Sequence, residues 1–108
     1  MSRTRAGFGH ALPDAAVVTA ARAGDRRALD CLVAAYLPLI YNIVGRAMDG
    51  HPDVDDVVQN SMMRAVDHLT ALDDPESFRA WLVAIAIRQV RSCDDARRRR
   101  PESTPSDE

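Results

Sequence analysis

The chain has 108 residues, 46% of them hydrophobic and 28% charged, with a formal net charge of −2. That is the size and balance of one globular domain, and it excludes a disordered chain, a collagen-like chain and a disulfide-rich mini-protein. All 14 basic residues are Arg, and the two cysteines, Cys31 and Cys93, stand in no CxxC or Cys/His cluster. They read as reduced thiols, and no metal or other cofactor is expected.

In chain order, residues 1–12 lack apolar periodicity and lack the apolar stretch of a secretory signal, so a flexible arm is expected there. Asp14 caps a first helix over about 14–23, with Val17, Val18 and Ala21 on one face and Gly24 as its terminator. Asp25 caps a longer second helix reaching about Met48. Its apolar positions are Leu29, Leu32, Val33, Tyr36, Leu39, Ile40, Ile43 and Val44. Pro38 lies inside it and removes one backbone donor, which predicts a kink near Ala34–Pro38. The longest apolar run, Cys31 to Tyr41, is far short of the roughly 20 residues of a membrane span, so no membrane association is expected.

Asp49-Gly50-His51-Pro52 is the next break. Asp53 opens a third helix over about 54–69, with Val54, Val57, Val58, Met62, Ala65, Val66 and Leu69 as its buried stripe. After a loop from Thr70, Asp74 as cap and Pro75 at the first helical position start a fourth helix, which runs to about Arg97. Phe78, Trp81, Leu82, Ile85 and Gln89 share one side of it. Phe78 and Trp81 read chiefly as core. Residues 101–108 form a polar Pro/Ser/acid segment expected to be a linker or disordered tail. The fold class is therefore all-α, a compact bundle of about four helices over 13–100.

Charge is unevenly placed. Residues 51–78 carry one Arg against six Asp and one Glu (−6), and residues 79–100 carry seven Arg against two Asp (+5). The split suggests two partners of opposite charge, though by charge alone two solvated helix faces that merely attract each other are the favoured reading. On the third helix Asp56, Gln59, Asn60 and Met63 sit at i, i+3, i+4 and i+7, an exposed strip with an apolar tip. It is a binding surface or a solvated face with one stray Met. Asp55 and Asp56 are neighbours on a helix, point in different directions and form no carboxylate dyad. With no nucleophile trio and no phosphate-binding Gly loop after a strand, no enzyme is expected.

Taken together, ARAGDRRALDCLVAAYLPLIYNIVGRAM, then DVDDVVQNSMMRAV, then FRAWLVAIAIRQVRSCDDARRRR resemble region 2 of the bacterial sigma-70 family, in particular its extracytoplasmic-function (ECF) group. The most specific pieces are Asp-Val-Val-Gln at 56–59 and Phe-Arg-Ala-Trp-Leu-x-x-Ile-Ala at 78–86. Gly24-Asp25 with Ala28, and Tyr36, support them. The resemblance covers about Asp14 to Arg100.

It implies a promoter −10 recognition and strand-opening domain in the bacterial cytoplasm, used in transcription initiation. The third helix would dock on the β′ clamp helices of core RNA polymerase through Asp55, Asp56, Gln59, Asn60 and Met63. Members usually carry an acid after the Gln, so Asn60 is expected to lose one charge contact. The connector and fourth helix would hold non-template strand DNA through Leu72, Asp73, Asp74, Ser77, Arg79, Arg88, Arg91 and Arg98. Arg88 stands where many members have Asn in the pocket for a flipped base. An anti-sigma protein is a further implied partner. Relatives of this type carry a second helical domain for the −35 element; nothing after Arg100 supplies one, so the chain is expected to be a shortened piece ending in the interdomain linker. The alternative is a sigma-like helical interaction module without DNA readout.

Overall fold

The computed structural model describes residues 13–98. They form four α-helices: α1 (Ala15–Arg22), α2 (Arg26–Ala47), α3 (Val54–Asp67) and α4 (Phe78–Arg98). Two 3-10 turns, Leu69–Ala71 and Pro75–Ser77, lie in the connector between α3 and α4, and there is no strand among the described residues. The all-α expectation holds. The expected arm at 1–12 and tail at 101–108 lie outside the described residues.

Local chemistry sets the helix ends. Asp14 Oδ1 accepts from the Ala16 and Val17 amides at 3.1 and 3.3 Å, and Asp25 Oδ1 accepts from Arg27 and Ala28 at 3.0 and 3.2 Å. Both satisfy amides that a helix start leaves unpaired. At the end of α1, Asp25 N–H donates to the Ala20 carbonyl and Gly24 N–H to that of Ala21, both at 3.0 Å, with Gly24 at φ 104°. This is a Schellman closure, and glycine takes its left-handed residue without a Cβ clash. α2 ends the same way, but the left-handed residue there is Asp49, at φ 53°.

α2 runs unbroken through Pro38, which is exposed. The amide missing at Pro38 leaves unpaired the carbonyl of Ala34, one turn earlier and also on the surface, where water can serve it. The buried positions of α2 are Leu32, Tyr36, Ile40 and Val44, and the helix packs against α1, α3 and α4. An 18-residue window of α2 has mean hydropathy 1.6, so its 22 residues are long and apolar enough to cross a membrane by length and composition. The uninterrupted run considered in the sequence understates this. Of that window 22% is buried, and Leu29, Val33, Leu37 and Leu39 are partly buried against the core.

Asp53 opens α3 as expected, and two other local expectations are corrected. Asp53 occupies the N-cap position of α3, but its side chain makes no capping bond. Its backbone is already near-helical (φ −81°, ψ 1°), unlike the extended Asp14 and Asp25, so its carboxylate does not swing onto the first turn. Its N–H donates instead to His51 Nδ1 at 3.0 Å, and its Oδ2 accepts the Cys93 thiol at 3.8 Å. Val66, expected in the buried stripe, is 38% exposed. Ser61 is fully buried instead, its hydroxyl donating to the Val57 carbonyl at 2.7 Å. Finally, Leu72, expected to touch DNA, is buried with Leu69 and holds the connector against the bundle. Its apolar side chain gains more from the core than from water.

The aromatic groups knit α2 to the start of α4. Tyr36 and Phe78 meet edge to face, with centroids 5.1 Å apart, and Trp81, half-buried, stands 5.9 Å from Phe78. Burial pushes the Tyr36 phenol above its ordinary 10.0, with the Arg79 charge partly opposing.

Two outcomes are expected. Leu72→Ala lowers unfolding free energy in urea by about 2–5 kcal/mol, the cost of a core truncation; a change below about 0.5 kcal/mol would place Leu72 at the surface. The raised Tyr36 pKa means the native state keeps a proton that the unfolded chain releases, so stability present below about pH 10 is lost as pH rises further. Tyr36→Phe is therefore expected to flatten the alkaline stability curve; an equal fall in both proteins contradicts this.

Candidate functional site

Asp55, Asp56, Gln59, Asn60 and Met63 are all exposed on α3, and Met63 is 61% exposed. At about 100° per residue they form two adjacent strips. Asp55 and Gln59 lie on the α2 side. There Asp55 faces Tyr41 of α2, and its carboxylate, with burial, pushes the Tyr41 phenol above its ordinary 10.0. Asp56, Asn60 and Met63 lie on the α4 side and border a trough between α3 and α4.

The trough is two depressions that meet at Asn60 and Gln89. One is completed by Met63, Arg64, Asp67 and His68; the other by Asp53, Asp56, Val57, Ser92 and Cys93. Burial, and then the Asp53 charge, push the Cys93 thiol up, so Cys93 is a hydrogen-bond donor here and not a ready thiolate. Gln89 and Ser92, which line the trough, were not among the candidates the sequence singled out. The available signal was an amide placed on an apolar helix side.

On α4, Arg88, Arg91 and Arg98 are exposed and fall on one strip of the helix. Arg79 does not join them. Nine residues before Arg88, it projects from the other side of the helix, close enough to Tyr36 for its charge to act on the phenol. Arg97 pairs with Asp94 at 3.6 Å.

In the connector Asp73, Asp74 and Ser77 are exposed and Leu72 is not. Asp74 is engaged within its own turn: Oδ1 accepts the Glu76 amide at 3.0 Å and Oδ2 accepts the Ser77 hydroxyl at 3.3 Å. It shapes the turn and leaves Asp73 as the free carboxylate beside it. α1 packs on the Pro75–Ser77 turn from behind, a support the sequence did not indicate. Among the described residues no group of three or more His, Cys, Asp or Glu is placed to hold a metal ion.

Known proteins share this arrangement. A family model described as Sigma-70 region 2 matches residues 32–101. The ECF RNA polymerase sigma-E factor of Salmonella typhimurium (strain LT2) is 32% identical over 96 residues, covering 89% of this chain and 50% of that protein. The protein of the same name from Escherichia coli (strain K12) is 31% identical over the same shares, and that from Haemophilus influenzae 30% identical over 83% of this chain and 47% of its own length. The chain thus spans about half the length of these relatives. A solved structure, an engineered region 2 of sigmaE in complex with GTAAAA, superposes with a TM-score of 0.71 at 32% identity, covering 82% of this chain and 93% of that one. The family model spans well over half of the chain, and this chain belongs to that family: Sigma-70 region 2.

Proposed function

We propose that this domain recognises promoter −10 DNA for an ECF-type sigma factor, with α3 docking on core RNA polymerase and the connector and α4 holding the non-template strand. The observation that carries this reading is the likeness, in sequence and in fold, to a sigmaE region 2 whose structure includes GTAAAA. The surface chemistry supports it. Arg88, Arg91 and Arg98 offer guanidinium groups to phosphates and base edges on a helix next to one that is rich in carboxylates.

The energetics limit the task. Opening a duplex costs about 1.4 kcal/mol per base-pair step in lost stacking, and extruding a base costs a few kcal/mol. A base stacked on an aromatic ring returns about 1–3 kcal/mol. A domain with five aromatic residues, of which Tyr36 and Phe78 are buried, does not melt a promoter alone. It traps bases while a larger machine in the bacterial cytoplasm holds the duplex. Its work is selective binding, not bond chemistry. Asp73, Ser77 and Arg88 are the residues assigned to the extruded base, while Asp74 and Leu72 support them by holding the connector. An anti-sigma protein is the expected competitor for these surfaces.

Arg88→Ala with Arg91→Ala is expected to weaken binding to a −10-like single strand at least tenfold and leave polymerase binding intact. With three Arg on phosphates, the wild-type log–log salt slope is about −2. A strand affinity unchanged by the double variant, or independent of salt, removes DNA readout and leaves an interaction module. Asp56→Ala with Gln59→Ala is expected to weaken binding to core polymerase while helical circular dichroism is unchanged; full affinity in that variant counts against α3 as the docking helix.

A further inference from the structure

We propose that the polymerase helix lies in the α3–α4 trough and not on α3 alone, so that Gln89 and Ser92 of α4 belong to the docking surface. This rests on the reading that α3 binds core polymerase. Both arms of the trough are lined mainly by polar side chains, with Met63 standing among Arg64, Asp67 and His68 in one and Asp53 and Asp56 in the other. Asp56 stands at one end, the Asn60 and Gln89 amides form the waist, and Met63 rises beyond them with 61% of its surface exposed. The occupant this fits is an α-helix that brings a guanidinium to Asp56, hydroxyl or amide groups to the waist and an apolar side chain to Met63.

The competing occupant, single-stranded DNA, is disfavoured by charge. Asp53, Asp56 and Asp67 line the trough against a single Arg64, whereas Arg88, Arg91 and Arg98 occupy the neighbouring strip of α4. The floor is braced at two points. Val57 is buried beneath it, and the Cys93 thiol donates to Asp53 at 3.8 Å, tying the end of α4 to the start of α3. A preorganised floor loses little freedom on binding.

The test uses the full chain, fluorescently labelled at its N-terminus, titrated with purified Escherichia coli core RNA polymerase and, separately, with a −10-like single strand. Ser92→Trp fills one arm of the trough from an exposed position, and Gln89→Ala removes half of the waist. Each is expected to weaken core binding about tenfold or more and leave strand affinity unchanged, with native circular dichroism in both. Normal core affinity in both, while Asp56→Ala with Gln59→Ala still loses binding, overturns the trough and keeps α3 as the docking helix. Loss of strand binding in Ser92→Trp assigns the trough to DNA and overturns the proposal. Absence of core binding by the wild-type chain overturns the underlying reading itself.

Discussion

A single row of side chains on α2 organises the molecule. Leu32, Tyr36, Ile40 and Val44 recur every fourth residue, and the other three helices close on them. Fully burying a side chain of this kind contributes about 1.5–3 kcal/mol, so the row is a large part of what offsets chain entropy in a domain this small. It also explains why a helix with mean hydropathy 1.6 over 18 residues sits at the centre. Everything proposed about function depends on the consequence that α3 and α4 are held as a pair, because they pack on each other and both rest on α2.

That pair separates charge. Carboxylates predominate on the exposed side of α3 (Asp55, Asp56 and Asp67 against Arg64) and guanidinium groups on the exposed strip of α4 (Arg88, Arg91 and Arg98 against Asp95). A protein partner and a polyanion can then bind without displacing each other. The trough marks the border between them, and amides rather than charges line its waist. Amides at a border add hydrogen bonds to either neighbour without the desolvation penalty of an ion.

Several polar and apolar groups serve the scaffold rather than a ligand. Asp74 spends both oxygens on the turn that carries Ser77, and Asp53 spends one on Cys93. Leu72 and Leu69 fasten the connector, alongside the packing of α1 on its Pro75–Ser77 turn. The connector is thereby fixed at two buried points, with Asp73 and Ser77 left outward, an arrangement suited to selecting among bases because its shape does not have to be induced.

Helix number, helix order and most of the core were legible in the sequence, because local rules govern them: aspartate caps at 14 and 25, a left-handed glycine at 24, and apolar spacing of three and four. The strip Asp56, Asn60 and Met63 was legible for the same reason, since residues on one helix face are related by sequence distance alone. Val66 was misplaced and Ser61 left unplaced by such rules, and Leu72, assigned to DNA by resemblance, is buried. Which edge of a stripe meets a neighbouring helix depends on how the helices cross, and a connector residue turns inward or outward according to the surface beneath it. The joining of Gln89 and Ser92 to the α3 strip belongs to the same class. Those residues lie about thirty positions from Asn60 in the chain, and only the packing of α3 on α4 brings them to one trough, because periodicity describes the faces of one helix and not which faces of two helices meet.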